Sequence, residues 1–140
     1  MIGQLIGHYR VLEKIGAGGM GEVFRARDER LGRDVALKLI RPASSDSPEH
    51  LRRFEQEARA AAALNHPNIV AIYDVGFEGT TPYIVQELLE GKTLRLRLGE
   101  GPIQIRQAAG YAVQIAQGLS AAHARNIVHR DLKPENLFLT

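Results

Sequence analysis

Residues 129–136 read "HRDLKPEN". This octapeptide places an aspartate, a lysine and an asparagine at fixed intervals directly after a segment of helical periodicity. Moving a phosphoryl group from a nucleotide to a hydroxyl calls for these three types. A carboxylate orients and deprotonates the hydroxyl, a cation meets the γ-phosphate, and an amide oxygen ligates Mg²⁺. A turn rich in capping residues would also carry Asp, Pro and Asn, so the octapeptide has to be weighed with the rest of the chain.

The chain has 140 residues, 44% apolar and 24% charged, with a formal net charge of +2. That length suits one domain with a real core, and the balance is ordinary for a globular protein. Its arginines (Arg25, Arg27, Arg30, Arg33, then Arg95, Arg97) are scattered and not interleaved with aromatics. This describes a solvated surface rather than a nucleic-acid face, so no nucleic-acid partner is expected. The absence of cysteine excludes disulfides and thiolate metal sites and fits a reducing compartment. The histidines show no metal-ligand spacing. No apolar run reaches the length of a membrane span, and "MIGQLIGHYR" has neither a charged leader nor a long apolar core. The expected location is cytoplasmic, which is compatible with a longer protein anchored in a membrane.

Periodicity changes along the chain. "YRVLEKI" (9–15) alternates Val11, Glu13 and Ile15 against Leu12 and Lys14. "EVFRARD" (22–28) and "DVALKLI" (34–40) complete three strands. Residues 41–48 form a loop by composition, with Ser47 suited to cap a helix and Pro48 to start it. "EHLRRFEQEARAAAALN" (49–65) is helical, its stripe formed by Leu51, Phe54, Ala58, Ala61 and Ala62. "IVAIYDVGF" and "PYIVQELL" return to strand character around the turn "EGTTP". From Thr93 onward the pattern is helical. Over about 104–124 it places Ile105, Ala108, Ala109, Ala112, Ile115, Ala116 and Leu119 on one stripe, and Asn126 is suited to a left-handed C-terminal position.

Glycines 16, 18 and 21 of "GAGGMGEV" (16–23) lie between two strands, whereas a dinucleotide-binding turn runs from strand to helix. A strand–glycine–strand hairpin closes over phosphates because glycine brings backbone amides near without a Cβ clash. A hairpin of this composition is also simply a flexible loop. In "VALK", Ala36, Lys38 and Ile40 share a face. Lys38 is either a surface lysine or a cation for the α- and β-phosphates, with small Ala36 leaving room for the base. Such a lysine needs a carboxylate. Glu55 and Glu57 both flank the helix stripe at about 100° per residue, and the pattern does not choose between them.

Together, "GHYRVLEKIGAGGMGEVFRARDERLGRDVALKLI", "LNHPNIVAIYDVG", "PYIVQELLEGKTL" and "GLSAAHARNIVHRDLKPENLFLT" resemble the eukaryotic-type protein kinases, most closely the bacterial serine/threonine kinases. The resemblance covers nearly the whole chain. It implies an α+β fold: a small antiparallel-sheet lobe with one helix (9–86) after an N-terminal tail (1–8), a hinge (87–92), and the start of a helical large lobe (93–140). It implies ATP and Mg²⁺ as cofactors and a protein bearing Ser or Thr hydroxyls as substrate. By the same resemblance Glu57 pairs with Lys38, Asp131 is the catalytic base, Lys133 meets the γ-phosphate and Asn136 binds metal. Gly16, Ala17, Gly18, Gly19 and Gly21 then cover the phosphates. Ile15, Val23 and Ala36 lie above the adenine and Phe138 below it, while Glu87 and Leu89 offer backbone groups to its edge. Arg130 implies a partner phosphate on an activation loop. Gln86 departs from the family, which commonly has an apolar side chain or threonine just before the hinge.

The family pattern continues past the catalytic loop with DFG and APE segments, which do not follow Thr140 within this sequence. The expectation is a partial catalytic domain, inactive by itself, that exposes the 104–124 stripe and self-associates through it. The alternative is a pseudokinase or nucleotide-binding regulatory module. The presence of Lys38, Glu57, Asp131, Lys133 and Asn136 together favours the kinase.

Overall fold

A computed structural model describes residues 1–18, 21–40, 48–129 and 132–140. Gly19, Ser47, Arg130 and Asp131 lie outside the described residues. The chain divides into two compact units, residues 1–63 with 70–88, and residues 64–69 with 89–140.

The first unit is built on a six-stranded antiparallel sheet in the order β1-β2-β3-β4-β6-β5. Its strands are β1 (Leu5–Ile6), β2 (Tyr9–Gly18), β3 (Gly21–Asp28), β4 (Arg33–Ile40), β5 (Ile72–Glu78) and β6 (Thr81–Gln86). Alternation sends one face of each strand inward. Phe24, Leu37 and Val85 pair across three strands, Ala26 pairs with Val35, and Leu39 with Tyr83. With Ile6, Tyr9 and Val11 these residues make the buried cluster. Residues 1–8, read as a tail, supply β1, and Ile6 is 1% exposed.

Strand β2 does not keep the simple alternation expected of it. Val11 pairs with Ala26, and Glu13 with Arg25, so Leu12 is an extra residue; Ile15 is another, between Lys14↔Phe24 and Gly16↔Val23. Each bulge opposes two residues to one and inverts the side-chain sense of the residues after it. Val11 therefore faces the core while Glu13 emerges on the opposite face, where it meets Arg25 at 3.3 Å.

Helix α1 (Pro48–Ala62) starts at the proline, as expected. Ala58 on its apolar stripe is buried, and Phe54 meets Phe77 of β5 edge-on at 6.4 Å between centroids. On the outer side, Arg59 donates to Glu55 at 2.7 Å, an i,i+4 pair.

The second unit contains β7 (Lys92–Thr93), α2 (Leu94–Gly99), α3 (Ile105–Ala124), a 3₁₀ turn (Pro134–Asn136) and β8 (Phe138–Leu139). Thr93 caps α2, its hydroxyl accepting from the Leu96 N–H at 3.2 Å. At the end of α3, Asn126 adopts φ 60°. There the Asn126 N–H reaches His123 C=O at 2.9 Å and the Ile127 N–H reaches Ala122 C=O at 3.0 Å, a Schellman closure. Gly118 and Ala122 are the buried positions of this helix, and Gln114 on the same side accepts from the Asn68 amide at 3.2 Å. The stripe containing Ala108, Ala109, Ala112 and Ala116 stays exposed, with Ile105 88% accessible. Among the described residues no helix is long and apolar enough to cross a membrane.

Candidate active site

In an antiparallel ladder, directly opposed residues project from the same face. Val23, Lys38 and Ile84 form one such row, and Arg25, Ala36 and Gln86 form the next. Both rows lie on the face opposite the buried cluster. Lys38 is half-buried between two β-branched side chains, and no hydrogen bond or ion pair of its ammonium occurs among the described residues. Gly16 pairs with Val23, which places the glycine hairpin at the end of these rows. Ile15, on its bulge, is 46% exposed.

The glycines of the hairpin are not equivalent. Gly21 has φ +149°, and a Cβ there would stand 1.9 Å from the Leu39 carbonyl oxygen. The β3–β4 approach itself therefore demands glycine. A Cβ on Gly16 would meet only the Val23 Cβ, at 3.9 Å, an ordinary contact. Packing among the described residues gives no reason for glycine at 16, whereas a ligand brought against the strand would.

Beyond β6, the Glu87 N–H donates to Ala71 C=O at 2.9 Å, and the Glu87 carboxylate accepts from the Ala71 N–H at 2.9 Å. This two-way tie fixes the first hinge residue. The Glu87 carbonyl and the Leu89 N–H take no part in a backbone hydrogen bond among the described residues. Of the two candidate carboxylates on α1, Glu55 accepts from Arg59, and Glu57 is exposed one position before buried Ala58; neither forms an ion pair with Lys38 among the described residues.

In the second unit the residues after Asp131 form a tight structure. Lys133 is extended (φ −157°, ψ 162°), Pro134 opens the 3₁₀ turn, and the Asn136 N–H donates to Lys133 C=O at 2.9 Å. Proline suits this position because its fixed φ is pre-set for the turn and its missing N–H is not required. Phe138 follows on β8, paired with Thr93 and 38% exposed. Glu135 is ion-paired to Arg95 of α2, and that hydrogen bond holds its carboxyl below the usual carboxylate range. Sequence reading passed over this pair and the β7–β8 ladder. Both join positions far apart in the chain and carry no local periodicity.

A recess of about 250 Å³ lies at the other end of the sheet ladder from the glycine hairpin, lined by residues including His8, Tyr9, Asp28, Arg33 and Asp74. Tyr9 donates to Asp74 at 2.7 Å, and Asp28 accepts from the Arg30 and Leu31 N–H groups at 2.9 and 3.0 Å. Among the described residues no three carboxylates, histidines or cysteines cluster as a metal site.

An antiparallel lobe with a glycine hairpin, a lysine on the strand beyond it and a Lys-Pro-Glu-Asn turn is the arrangement of the protein-kinase fold class. The chain belongs to the protein kinase domain family, whose model matches residues 9–140. It is 43% identical to serine/threonine-protein kinase PrkC of Bacillus subtilis over 99% of its own length and 22% of that relative. To PknA of Mycobacterium tuberculosis it is 43% identical over 97% of its length and 33% of the relative. Among solved structures, the PknI kinase domain of Mycobacterium tuberculosis superposes with a TM-score of 0.90 at 28% identity. That match covers 100% of this chain and 58% of the PknI chain. The chain thus spans about a fifth to a third of the curated relatives it matches.

Proposed function

We propose that these residues form the ATP-binding lobe and catalytic loop of a serine/threonine protein kinase, which transfers the γ-phosphate of ATP to Ser or Thr hydroxyls of a protein. The observation that carries this reading is the row Val23–Lys38–Ile84. It sets a half-buried cation without a partner among the described residues beside a glycine hairpin whose Gly16 is not required by packing among those residues.

Residue types and backbone geometry fit a nucleotide. Ala36 has the small side chain a base would need beside it, and Ile15 and Val23 offer apolar cover. The Glu87 carbonyl and Leu89 N–H are an acceptor and a donor of the kind an adenine edge needs, and Phe138 supplies an aromatic floor. Lys38 neutralises the α- and β-phosphates, and Glu57, directly before Ala58, is assigned as the carboxylate that holds it when nucleotide is bound; the two do not pair among the described residues. Amides of Gly16, Ala17, Gly18, Gly19 and Gly21 cradle the phosphates. Asp131 takes the hydroxyl proton, Lys133 meets the γ-phosphate, and Asn136 offers its side-chain oxygen to Mg²⁺. Mg²⁺ held there would supply charge neutralisation for the phosphates during transfer.

Titration of the chain with a fluorescent ATP analogue, with and without Mg²⁺, tests the binding half of the reading. Saturable binding that unlabelled ATP displaces and that Lys38→Met weakens at least tenfold is expected. The transfer half is read as label moving from γ-labelled ATP to Ser or Thr in the protein that carries these residues. Absence of nucleotide binding, or equal binding by Lys38→Met, would refute the proposal.

A further inference from the structure

Three tethers join residues 91–95 to residues 135–139 within the second unit. Lys92 pairs with Leu139 and Thr93 with Phe138. The Leu94 N–H donates to Leu137 C=O at 2.8 Å. Arg95 Nε donates to Glu135 Oε1. Gly91 permits the approach: its φ is +140°, and a Cβ there would sit 1.9 Å from the Leu139 carbonyl oxygen.

The second and third tethers land on either side of Asn136, at Leu137 and Glu135. The turn they grip spans three residues and has no side-chain cap at its start. Its internal bonds are Asn136 N–H to Lys133 C=O at 2.9 Å and Leu137 N–H to Pro134 C=O at 3.3 Å. A 3₁₀ turn this short has poor hydrogen-bond geometry and little cooperativity of its own. Its single conformation must be held from outside, and Arg95 reaches it from a helix with a hydroxyl cap.

We propose that Arg95 is a positioning residue for the phosphoryl-transfer loop. Through Glu135 it fixes the Pro134–Asn136 turn, and so the relative placement of Lys133 and Asn136, to the chain leaving the hinge. The role given to the turn rests on the kinase reading; the mechanical link does not. Both side chains are substantially exposed, at 59% and 44%. Such a pair adds little to global stability, so its loss should be felt locally.

Four proteins test this: wild type, Arg95→Ala, Arg95→Lys, and Glu135→Gln, which removes the charge while keeping the shape. Amide hydrogen exchange by NMR should accelerate at Asn136 and Leu137 about threefold to fivefold in Arg95→Ala and Glu135→Gln, the range an exposed pair supplies. The urea midpoint should stay near that of wild type, and Arg95→Lys should recover most of the protection. In parallel, the factor by which Mg²⁺ strengthens ADP binding should fall by a similar amount in Arg95→Ala. Mg²⁺-free affinity should not change, because the hinge and hairpin are untouched. Unchanged exchange at Asn136 and Leu137 would overturn the proposal. So would faster exchange with undiminished Mg²⁺ enhancement, which would make the pair merely structural. A wild-type chain that binds no nucleotide would instead refute the kinase reading and the purpose given to Arg95, while the exchange data would still decide whether the link exists.

Discussion

Gly21 and Gly16 stand in the same hairpin, yet alanine should act on them in opposite ways. At Gly21 the new Cβ would lie 1.9 Å from the Leu39 oxygen. A relaxed C···O contact is about 3.3 Å, so β3 and β4 would have to part by roughly 1.4 Å at the Gly21↔Ile40 pair. That breaks a ladder hydrogen bond, about 1 kcal/mol. Holding alanine near φ +149° adds about 1–3 kcal/mol. The sum, about 2–4 kcal/mol, is a large part of the roughly 5–15 kcal/mol that a domain has. In urea it should lower the midpoint by about 1–2 M for a slope near 2 kcal/mol/M. Gly16→Ala meets no such obstacle, and relief of glycine's backbone entropy should leave stability equal or about 0.5 kcal/mol higher. Its cost should appear in nucleotide affinity. Loss of a charge-assisted amide–phosphate contact, about 1.5–3 kcal/mol, weakens binding roughly tenfold to a hundredfold. Circular dichroism in urea and analogue titration on both variants check this. A Gly21→Ala midpoint within about 0.3 M of wild type, on that same slope, would refute the reasoning, as would a Gly16→Ala protein as destabilised as Gly21→Ala.

In the protein that carries these residues as a complete catalytic domain, Lys38→Met should abolish phosphoryl transfer, a loss of at least about a hundredfold, with an unaltered circular dichroism spectrum; near wild-type turnover there would remove Lys38 from the site. Leu37→Ala should cost about 2–5 kcal/mol in urea unfolding, because Leu37 is 0% exposed and wedged between Phe24 and Val85. Burial tends to raise the Asp28 carboxyl, but the Leu31 and Arg30 N–H groups, with His8 and Arg33, outweigh it and leave a net depression below 3.8. A depressed folded-state value means the carboxylate stabilises the fold above the ordinary aspartate range and loses that contribution as pH falls through the folded-state value. Asp28→Asn should therefore lower stability at pH 7 and flatten its acid limb below about pH 4; an unchanged acid limb would assign that loss to other carboxylates.

How much was legible in the sequence depends on the range of the interaction. Helix α1 shows its stripe locally, and the residues read as apolar-facing, from Leu51 to Ala62, are those the structure shields. Asn126 likewise signals its left-handed position from a few neighbouring residues. Strand β2 was legible as a strand but not in its facing, because a bulge is a property of two strands and leaves the composition of one unchanged. β1 is too short for any period, although Ile6 is among the largest fully buried side chains. The choice between Glu55 and Glu57 lay beyond periodicity, since both flank the stripe; the i,i+4 spacing of Glu55 and Arg59 was readable on the helix, but a surface pair does not by itself select the other carboxylate. The proposed site roles come from resemblance alone, and the Arg95–Glu135 link was not legible at all, its partners being 40 positions apart.

That separation also sets an order of events during synthesis. The first unit's strands are all available once residue 88 has been made, so its sheet has every pairing partner at hand. β7 is different: Lys92 and Thr93 have nothing to pair with until Phe138 and Leu139 follow. At about 5–20 residues per second, the hinge-side strand emerges several seconds before its partner. Throughout that interval Gly91 carries no steric burden, because the Leu139 carbonyl it must accommodate has not yet been made. A slow-codon stretch placed between codons 94 and 137 would lengthen this window without changing a single residue, leaving the edge of β7 open for longer to any other strand that reaches it.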